Sequence, residues 1–440
     1  MKDAYIYRIS IGQLVECLST AIELVNPVVA GHNKRVAVLS REIGRAMGLS
    51  EDVLQEIYLA GLLHDIGAAP LTIQEKEQLI QFDVENPYKH CLVGYLLLRN
   101  YKPFRKIAKI ILYHHEYWQH GTNMGYIGEP IPIASYIIHL ADRVDVLVKQ
   151  NQHILLQRGN IIDHIAEKIG SVFAPAAVEA FRSLQDKESF WLSTSFNQLF
   201  SEHEYINTDK RSMSIKEIED FTKLVSLVID FKSRFTASHS RGVSDVAKLL
   251  GYMMNYGEHK CSELSIAGNL HDIGKLIVPN EILEKNGKLD DKELAYIRSH
   301  SYYTNMILSQ VRQMKDIAEY ASQHHEKIDG SGYPYHVGDG ELSAESRLMA
   351  VADVYTALAE DRPYRIGMDS TDVKDILQKM SDMRHLDGGI VKLLISNYGI
   401  LDASRKAEQA KAVKEYRAFS EHLDSMLSGD RCDLHDNLQN

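Results

Sequence analysis

Hydrophobic residues recur every three to four positions along most of the chain. The spacing is visible in VAVLSREIGRAMGL (residues 36–49), IKEIEDFTKLVSLVIDFKSRF (215–235) and VSDVAKLLGYMM (243–254). Apolar residues at i, i+3, i+4 and i+7 form one face of an α-helix, whereas a half-buried strand alternates apolar and polar residues. Clean alternation of the second kind is hard to find in this chain. The pattern therefore predicts an all-α fold whose helices pack as bundles.

The same succession of helices and polar landmarks occurs twice. LLHDIG (residues 62–67) matches NLHDIG (269–274) at a distance of 207 residues, and His32 precedes the first string as His239 precedes the second. Further on, the HHE tripeptide at 114–116 recurs at 324–326, which is a distance of 210 residues. Ordered landmarks in nearly constant register indicate a tandem duplication. We call the two halves the first and second copies.

The duplication predicts two tandem helical bundle domains, because each copy is long enough to bury its own core. We expect the first domain over residues 1–205, the second over 206–402, and a charged C-terminal helix and tail over 403–440. The boundary between the domains falls near the polar stretch 201–214. The isolated dipeptide His435-Asp436 lies in the tail and is expected to be solvated surface.

Composition and charge narrow the function classes. The 440 residues are 45% hydrophobic and 25% charged, which is typical of a globular protein and excludes a disordered chain. A net charge of -11 argues against polymeric nucleic acid as a partner, since such a partner normally requires a basic surface. The chain shows no signal peptide, no long apolar run and no CxxC pair among its four cysteines. We therefore expect a reduced, cytoplasmic protein with no membrane span.

Histidine is the unusual residue, with 20 in the chain, and ten of them fall at matched positions of the two copies. Imidazole and carboxylate together suit Mn, Fe, Zn or Ni better than Mg or Ca. In the second copy the candidate metal ligands are His239, His271, Asp272, His300, His324, His325 and Asp353. This set is too large for one ion with an open position, so it predicts two ions that share a carboxylate. Such a pair activates water and positions a phosphoryl group for attack.

The second copy resembles the HD-GYP subfamily of the HD superfamily of metal-dependent phosphohydrolases. The resemblance rests on HSRGV, NLHDIGKLIVPNEILEKNGKL, HHEKIDGSGYP and VADVYTALAEDRPYR, between Phe221 and Ser396. It implies hydrolysis of a cyclic dinucleotide, chiefly cyclic di-GMP, to linear pGpG and sometimes to GMP. It also implies two divalent ions in this domain, commonly iron or manganese, with nickel or zinc as alternatives. Two other interpretations stay open: hydrolysis of 3',3'-cyclic GMP-AMP, and a non-catalytic sensor or scaffold that binds the messenger.

The resemblance also implies roles for single residues. Asp272 would bridge the two ions and take part in catalysis, and Lys275 would contact the substrate phosphate on the side of the nucleophile. The other expected substrate contacts are Arg362, Arg365, Gly332, Tyr333 and Pro334. The three cations would supply locally the positive charge that the acidic chain lacks as a whole.

Two positions depart from the family pattern. Members with a third ion carry Glu four residues before the first ligand histidine, where this chain has Phe235, so we expect two ions. A second Asp usually follows the ligand Asp of the VAD motif, and this chain has Thr356 there. That carboxylate would assist proton transfer to the leaving 3' oxygen. Its replacement is therefore expected to affect the rate more than substrate binding.

The first copy keeps every ligand type and is a candidate second metal site for further divalent ions. Its ligands would be His32, His64, Asp65, His90, His114, His115 and Asp142. The expected phosphate-binding cations are missing, since the corresponding residues are Ala68, Asn151 and Ile154. Each lost charge-assisted hydrogen bond weakens binding by about 1.5–3 kcal/mol. We expect a divergent HD domain that binds metal but little substrate and serves regulation, dimerisation or stability. The alternative is a separate small phosphohydrolase activity of this domain.

The expected partners follow from the resemblance. A cyclic dinucleotide is the expected substrate in a bacterial second-messenger system. A diguanylate cyclase or another signalling protein is a candidate protein partner, and a homodimer is a candidate assembly. Neither polymeric nucleic acid nor a membrane is expected as a partner.

Overall fold

The computed structural model describes residues 9–24, 31–68, 71, 79, 81–82, 88–119, 125, 129–149, 151–193, 212–232, 238–285, 287–361 and 366–428. These residues contain no strand, and an isolated bridge pairs Ile169 with Phe173. The all-α class predicted from the apolar spacing is confirmed. None of the helices in this part of the chain combines the length and the apolar character that a bilayer crossing needs.

The helices of the first half of the chain are α1 (Ile11–Glu23), α2 (His32–Ala46), α3 (Glu51–Leu63), α4 (Tyr88–Leu98), α5 (Arg105–Leu112), α6 (Ile133–Leu147), α7 (Arg158–Ala166), α8 (Pro175–Ser183) and α9 (Glu188–Ser193). Those of the second half are α10 (Ile215–Lys232), α11 (His239–Met253), α12 (Glu258–Leu270), α13 (Asn280–Leu283), α14 (Asp291–Leu308), α15 (Lys315–Ser322), α16 (Ala344–Ala359), α17 (Ser370–Asp382), α18 (Gly388–Ser396) and α19 (Tyr398–Ser428). A short 3-10 turn follows the HD dipeptide of each copy, at Ile66–Ala68 and at Ile273–Ile277.

The helix boundaries repeat between the copies. The starts of α2 and α11 lie 207 residues apart, and those of α5 and α15 lie 210 residues apart. The starts of α6 and α16 differ by 211 residues, as their aspartates do in the sequence. The packing repeats as well, because α2 packs on α3 and α6 just as α11 packs on α12 and α16. The two copies are therefore versions of one helical bundle.

One glycine in each copy permits a close helix contact beside the HD dipeptide. A Cβ atom on Gly61 would lie 2.6 Å from the Cα atom of Ala37, and one on Gly268 would lie 2.5 Å from the Cα atom of Ser244. Both distances are shorter than any contact that a real side chain tolerates, so only glycine fits. The backbones of α2 and α3, and those of α11 and α12, can then approach closely. This contact sets the position of the histidine that follows each second helix.

Side-chain caps define where two site-bearing helices of the second copy begin. At the start of α14, Asp290 Oδ1 accepts a hydrogen bond from Glu293 N at 2.9 Å, and Glu293 Oε2 accepts one from Asp290 N at 2.8 Å. At the start of α16, Ser343 Oγ accepts a hydrogen bond from Ser346 N at 3.1 Å. Such caps satisfy backbone N–H groups that have no partner inside the helix. They fix the first turns of the helices that carry His300 and Asp353.

Contacts divide the chain into two compact units. One unit contains the described residues up to Ala21 together with those between Arg211 and Ala418. The other contains those between Ile22 and Lys210 together with those from Phe419 onward. In the first of these units Cys17 Sγ donates to Ile307 O at 3.3 Å, which ties α1 to α14 of the second copy. The domain boundaries predicted at residues 205 and 402 stay a prediction. Neither unit is one continuous stretch of the chain, because α1 and α19 each contribute residues to both units.

Candidate metal centres

The first ligand group of the second copy brings together residues from three helices. His239 is the first residue of α11, His271 directly follows α12, and Asp353 lies in α16. The Nε2 atom of His239 lies 3.0 Å from Asp353 Oδ1, and that of His271 lies 3.9 Å from the same oxygen. All three residues are buried. Their ligand atoms are close enough together to bind one ion.

The second ligand group consists of His300, His324 and His325. His300 lies in α14, and the other two histidines follow α15. The Nε2 atoms of His300 and His324 are 3.2 Å apart. His325 is the most exposed member, with 30% of its side chain accessible, and its Nδ1 lies 3.9 Å from Asp353 Oδ2. The open side of the centre is therefore at His325.

Asp272 lies between the two groups. Its Oδ2 is 3.3 Å from His271 Nε2, and its Oδ1 is 3.5 Å from His300 Nε2. The Oδ2 atom also accepts a hydrogen bond from Lys275 Nζ at 2.6 Å. The Oδ1 atom is buried and has no hydrogen-bond partner. Since an unsatisfied buried carboxylate oxygen is costly, this atom is suited to a cation.

The hydrogen bonds of the histidines also fit a cation. The Nδ1 atoms of His271, His300 and His324 lie next to the backbone carbonyl oxygens of Gly268, Ile297 and Ala321. A carbonyl only accepts hydrogen bonds, so each Nδ1 carries the proton and each Nε2 presents a lone pair. Two lone pairs 3.2 Å apart repel each other unless a positive charge lies near both. The described residues therefore fit divalent metal ions, and the backbone carbonyls orient the ligands.

Burial and neighbouring charges set the protonation states of the candidate ligands. Burial lowers the pKa of His300 to about 3 and holds that of His324 well below its usual range, so both rings are neutral. Burial opposes the charge of Asp272, but His271 and Lys275 outweigh it and hold the pKa of that carboxyl well below its usual range. His239 differs, because Glu360 and Asp353 overcome the effect of burial and raise its pKa to about 10.

The residues of the GYP turn lie against His325. The rings of Tyr333 and His325 have centroids 4.8 Å apart, and Tyr333 N donates to His325 O at 3.2 Å. A Cβ atom on Gly332 would lie 2.4 Å from the Cα atom of Glu326, so the turn needs glycine there. Pro334 follows in the same turn. These contacts position His325, and the predicted contact of the turn with substrate stays a prediction.

Several predicted positions lie outside the described residues. They include Arg362, Arg365, Phe235, the 120–124 part of the first copy and the tail dipeptide His435-Asp436. Of the predicted substrate-binding cations, Lys275 is described. It has 23% of its side chain exposed beside Asp272, which places its charge at the edge of the centre.

The first copy repeats the arrangement of ligand atoms. His32 Nε2 lies 3.3 Å from Asp142 Oδ1, and the Nε2 atoms of His90 and His114 are 3.1 Å apart. Asp65 again lies between two groups, with one oxygen 3.5 Å from His64 Nε2 and the other 3.4 Å from His90 Nε2. His115 Nε2 is 3.9 Å from Asp142 Oδ2. All seven predicted ligands of this copy are thus brought together.

Two arginines of the first copy form ion pairs with carboxylates of the same copy. Arg143 is buried, and its Nη2 donates to Asp142 Oδ2 at 2.7 Å. Arg35 donates to both oxygens of Asp145, at 2.6 and 3.0 Å. At the positions corresponding to the predicted phosphate contacts, Ala68 and Ile154 are buried and Asn151 is exposed. Among the described residues, this copy offers no counterpart of Lys275.

Three residues next to the candidate ligands were missed by the sequence analysis. Glu360 directly follows α16, and both of its carboxylate oxygens lie 3.1 Å from His239 Nδ1. Gln409 of α19 donates from Nε2 to Glu360 Oε2 at 3.0 Å. The residue of the first copy that corresponds to Glu360 is Lys149, so the duplication gave no signal for it. The HHE string contained a third such residue, since the buried Glu326 accepts a hydrogen bond from Tyr335 N at 2.6 Å.

Comparisons with known proteins agree with this geometry. One HD-domain family model matches residues 223–390, and another matches residues 29–147. HD domains are metal-dependent, and the His/Asp groups of both copies could bind metal. The 3'3'-cGAMP-specific phosphodiesterase 1 of Vibrio cholerae is 30% identical over 412 residues, covering 90% of this chain and 94% of the relative. Phosphodiesterase 3 of the same specificity and organism is 27% identical and covers 81% of this chain and 88% of the relative.

Two further comparisons differ in how much of the chain they cover. The cyclic di-GMP phosphodiesterase PA4108 of Pseudomonas aeruginosa is 33% identical over 180 residues, which are 40% of this chain and 43% of the relative. The crystal structure of a cyclic GMP-AMP specific phosphodiesterase of V. cholerae (V-cGAP3) has a TM-score of 0.59 and 23% identity, covering 89% of this chain and 98% of that one. At this identity the structural likeness shows the shared fold. The chain therefore belongs to the HD-GYP family of cyclic-dinucleotide phosphodiesterases and carries a second HD domain in its N-terminal half.

Proposed function

We propose that the second copy hydrolyses 3',3'-cyclic GMP-AMP in preference to cyclic di-GMP. The observation that carries this proposal is the extent of the similarity. The relatives named as 3'3'-cGAMP-specific phosphodiesterases 1 and 3 align with both HD domains, over 412 and 410 residues. The relative PA4108, named as a cyclic di-GMP phosphodiesterase, aligns over 180 residues. The combination of a divergent first HD domain with a complete second one therefore supports the cyclic GMP-AMP assignment.

Cyclic di-GMP is the second candidate substrate. It was the main expectation from the motifs of the second copy. The 33% identity to PA4108 over 180 residues keeps it in consideration, because that identity is slightly higher than the 30% to the cyclic GMP-AMP relative. Both substrates present the same two phosphodiester groups, so the choice between them lies in contacts to the bases.

The proposed reaction breaks one P–O3' bond of the ring. A water oxygen forms the new bond to phosphorus, and a proton passes to the departing 3' oxygen. The linear product then carries one 5'-phosphate and one free 3'-hydroxyl group. When bound, divalent ions supply an activated water and neutralise charge on the phosphoryl oxygens.

The residues of the second copy divide this work. His239, His271, Asp272 and Asp353 would hold one ion, and Asp272, His300, His324 and His325 the other. Iron or manganese is proposed, with nickel or zinc as alternatives, because all four accept imidazole and carboxylate ligands. Lys275, which lies 2.6 Å from Asp272 and is partly exposed, would bind a phosphoryl oxygen by charge. Tyr333 and Gly332 keep the backbone near His325 in place.

The first copy is proposed to bind metal without turning over substrate. Its cations Arg35 and Arg143 are engaged with Asp145 and Asp142, which leaves less positive charge for a dianionic ligand. A regulatory, dimerising or stabilising role therefore fits it better than a separate phosphohydrolase activity. A cytoplasmic location, a diguanylate cyclase or other signalling partner and a homodimer stay predictions.

The experiment that tests the proposed function is product chromatography on the metal-loaded full chain. Protein loaded with Mn²⁺ or Fe²⁺ is incubated separately with 3',3'-cyclic GMP-AMP and with cyclic di-GMP. We expect linear product from both, with the larger kcat/KM for cyclic GMP-AMP, and metal analysis of the same samples shows which ion is retained. A larger kcat/KM for cyclic di-GMP would reverse the substrate assignment. The absence of linear product from either substrate, at full metal occupancy, would contradict hydrolysis itself.

A further inference from the structure

Both ring nitrogens of His239 are engaged by buried carboxylates. Nε2 lies 3.0 Å from Asp353 Oδ1, on the side of the candidate ligands. Nδ1 points the opposite way, to Glu360, whose two oxygens are each 3.1 Å from it. Glu360 is itself buried, with 3% of its surface accessible. A histidine held in this way has one orientation and one available nitrogen for an ion.

The C-terminal helix fixes the position of Glu360. Gln409 of α19 donates from Nε2 to Glu360 Oε2 at 3.0 Å and to Ser238 O, just before His239, at 3.2 Å. The amide oxygen of Gln409 in turn accepts a hydrogen bond from the buried guanidinium of Arg405. Arg405 also donates to Ala359 O at 3.1 Å, next to Glu360 in the chain. Two residues of α19 therefore hold both ends of the His239–Glu360 pair.

The first copy achieves the same contact with different residues. There His32 Nδ1 lies 2.7 Å from Asp145 Oδ2, and Arg35 donates to Asp145. The positions that correspond to Asp145 and Arg35 are Thr356 and Gly242 in the second copy. Thr356 is fully buried and carries no charge, so it cannot replace the carboxylate.

Gly242 explains why the second copy can use the C-terminal helix instead. A Cβ atom at this position would lie 2.8 Å from Gln409 Nε2 and 2.9 Å from Thr356 Cγ2. The missing side chain leaves the space that Gln409 occupies. Three differences between the copies are thus explained together: the loss of Asp at 356, the glycine at 242 and the carboxylate at 360.

We propose that Glu360 is the positioning residue for His239 and that Gln409 of the C-terminal helix holds Glu360 for this purpose. The proposal rests on the metal site of the proposed function and adds a carboxylate and a helix that the ligand motifs do not include. A carboxylate on the distal nitrogen of a ligand histidine fixes its tautomer and orientation and raises its basicity. Glu360 performs in the second copy what Asp145 performs in the first.

The test measures Mn²⁺ affinity of the full chain, without substrate. A His64→Ala background removes one candidate ligand of the first copy, so that the second copy dominates the measurement. Mn²⁺ binding is followed by electron paramagnetic resonance and equilibrium dialysis. We expect Glu360→Ala to raise the Mn²⁺ Kd by about 10- to 100-fold. Glu360→Gln should have a smaller effect, because its amide oxygen can still accept the hydrogen bond, and Gln409→Ala should also raise the Kd.

Two controls separate positioning from folding. Glu219→Gln changes another buried carboxylate of the same unit, which is paired with Lys248 at 2.7 Å, and should leave the Mn²⁺ Kd unchanged. The Tm of each metal-free variant reports general loss of structure. An unchanged Kd in Glu360→Ala would overturn the positioning role even if the variant were less stable. No Mn²⁺ binding by the background protein with an intact second copy would instead overturn the proposed metal site, and the positioning role with it.

Discussion

In the first copy two arginines pair with carboxylates in or beside the candidate metal centre, whereas in the second copy the neighbouring cation is a lysine that remains partly exposed. Arg143 donates to Asp142 and Arg35 to Asp145, so these charges are neutralised inside the fold. Lys275 donates to Asp272 but keeps 23% of its side chain accessible. The ligand constellations are otherwise alike. The comparison separates two features of such a centre. Matching ligand positions indicate where metal could bind in each copy, and we propose that the placement of nearby cations decides whether an anionic substrate can follow.

Among changes outside the candidate ligands, the largest expected effect on this comparison comes from Lys275→Ala. The variant makes the cation content of the second copy resemble that of the first, which has Ala68 at this position. Loss of one charge-assisted hydrogen bond to a phosphoryl oxygen is worth about 1.5–3 kcal/mol, or about 10- to 150-fold in kcat/KM. Steady-state kinetics with 3',3'-cyclic GMP-AMP measures it. The matched control is Lys285→Ala, which removes a cation paired with Glu293 and should leave kcat/KM unchanged. Equal losses of kcat/KM in both variants would contradict a specific role of Lys275.

A second, smaller effect is expected from Gly332→Ala in the GYP turn, whose sequence the first copy does not repeat. The added Cβ would meet backbone atoms of Glu326 and Lys327 at 2.4 and 2.5 Å, so the turn must shift away from His325. Overpacking of this kind costs about 1–3 kcal/mol. We expect a lower Tm and a lower kcat/KM together. Gly340→Ala lies in the same loop with no atom within 4 Å of its Cβ and should change neither quantity; if it had the same effect, the close approach at Gly332 would not be the cause.

The smallest expected effect is on the free energy of unfolding at acidic pH. It comes from His139, a histidine of the first copy whose matched position in the second copy is Ala350. Burial lowers the pKa of His139 to about 4, below the usual value near 6.5. In the unfolded chain this histidine takes up a proton as the pH falls through 6.5. In the folded state it takes up the proton only near pH 4, because its pKa is about 4. Stability is therefore lost on acidification, by about 1 kcal/mol between pH 7 and pH 5.5 for this residue.

His139→Gln should remove that contribution. Denaturant unfolding of the metal-free protein at the two pH values measures it, as the change in the free energy of unfolding of the first copy. The equivalent residue of the second copy is Ala350, which has no such titration. An unchanged pH dependence in the variant would show that His139 is not held neutral by burial.

The sequence was sufficient for the helical class and for the duplication, because each rests on a pattern that recurs. The residues of both predicted ligand sets lie together in the structure, and their role as metal ligands stays a prediction. Helical spacing repeats within each element, and the His/Asp landmarks repeat between copies. Glu360 and Gln409 escaped prediction for the opposite reason. They lie 49 residues apart and meet only through the packing of α19. In the first copy a different residue, Asp145, contacts the Nδ1 atom of the first ligand histidine.

Two other features depended on tertiary structure. Arg143 is adjacent to Asp142 in the sequence, but nothing in the sequence alone indicated that its guanidinium would turn inward to that carboxylate. The expected help of a carboxylate at position 356 in proton transfer stays a prediction, and the first copy shows a different use of such a carboxylate. Asp145, at the matching position, is buried and paired with His32 and Arg35, and Thr356 is buried as well.

The central claim is that two metal centres exist and that only the second one hydrolyses substrate. The most direct measurement compares His64→Ala with His271→Ala, which remove equivalent candidate ligands from the two copies. Turnover of 3',3'-cyclic GMP-AMP and metal content are measured on the same full-length preparations. We expect both variants to lose metal, but only His271→Ala to lose turnover, by at least about 100-fold because metal assistance is worth several kcal/mol. Loss of turnover in His64→Ala with an intact fold, or retained turnover in His271→Ala, would contradict the account.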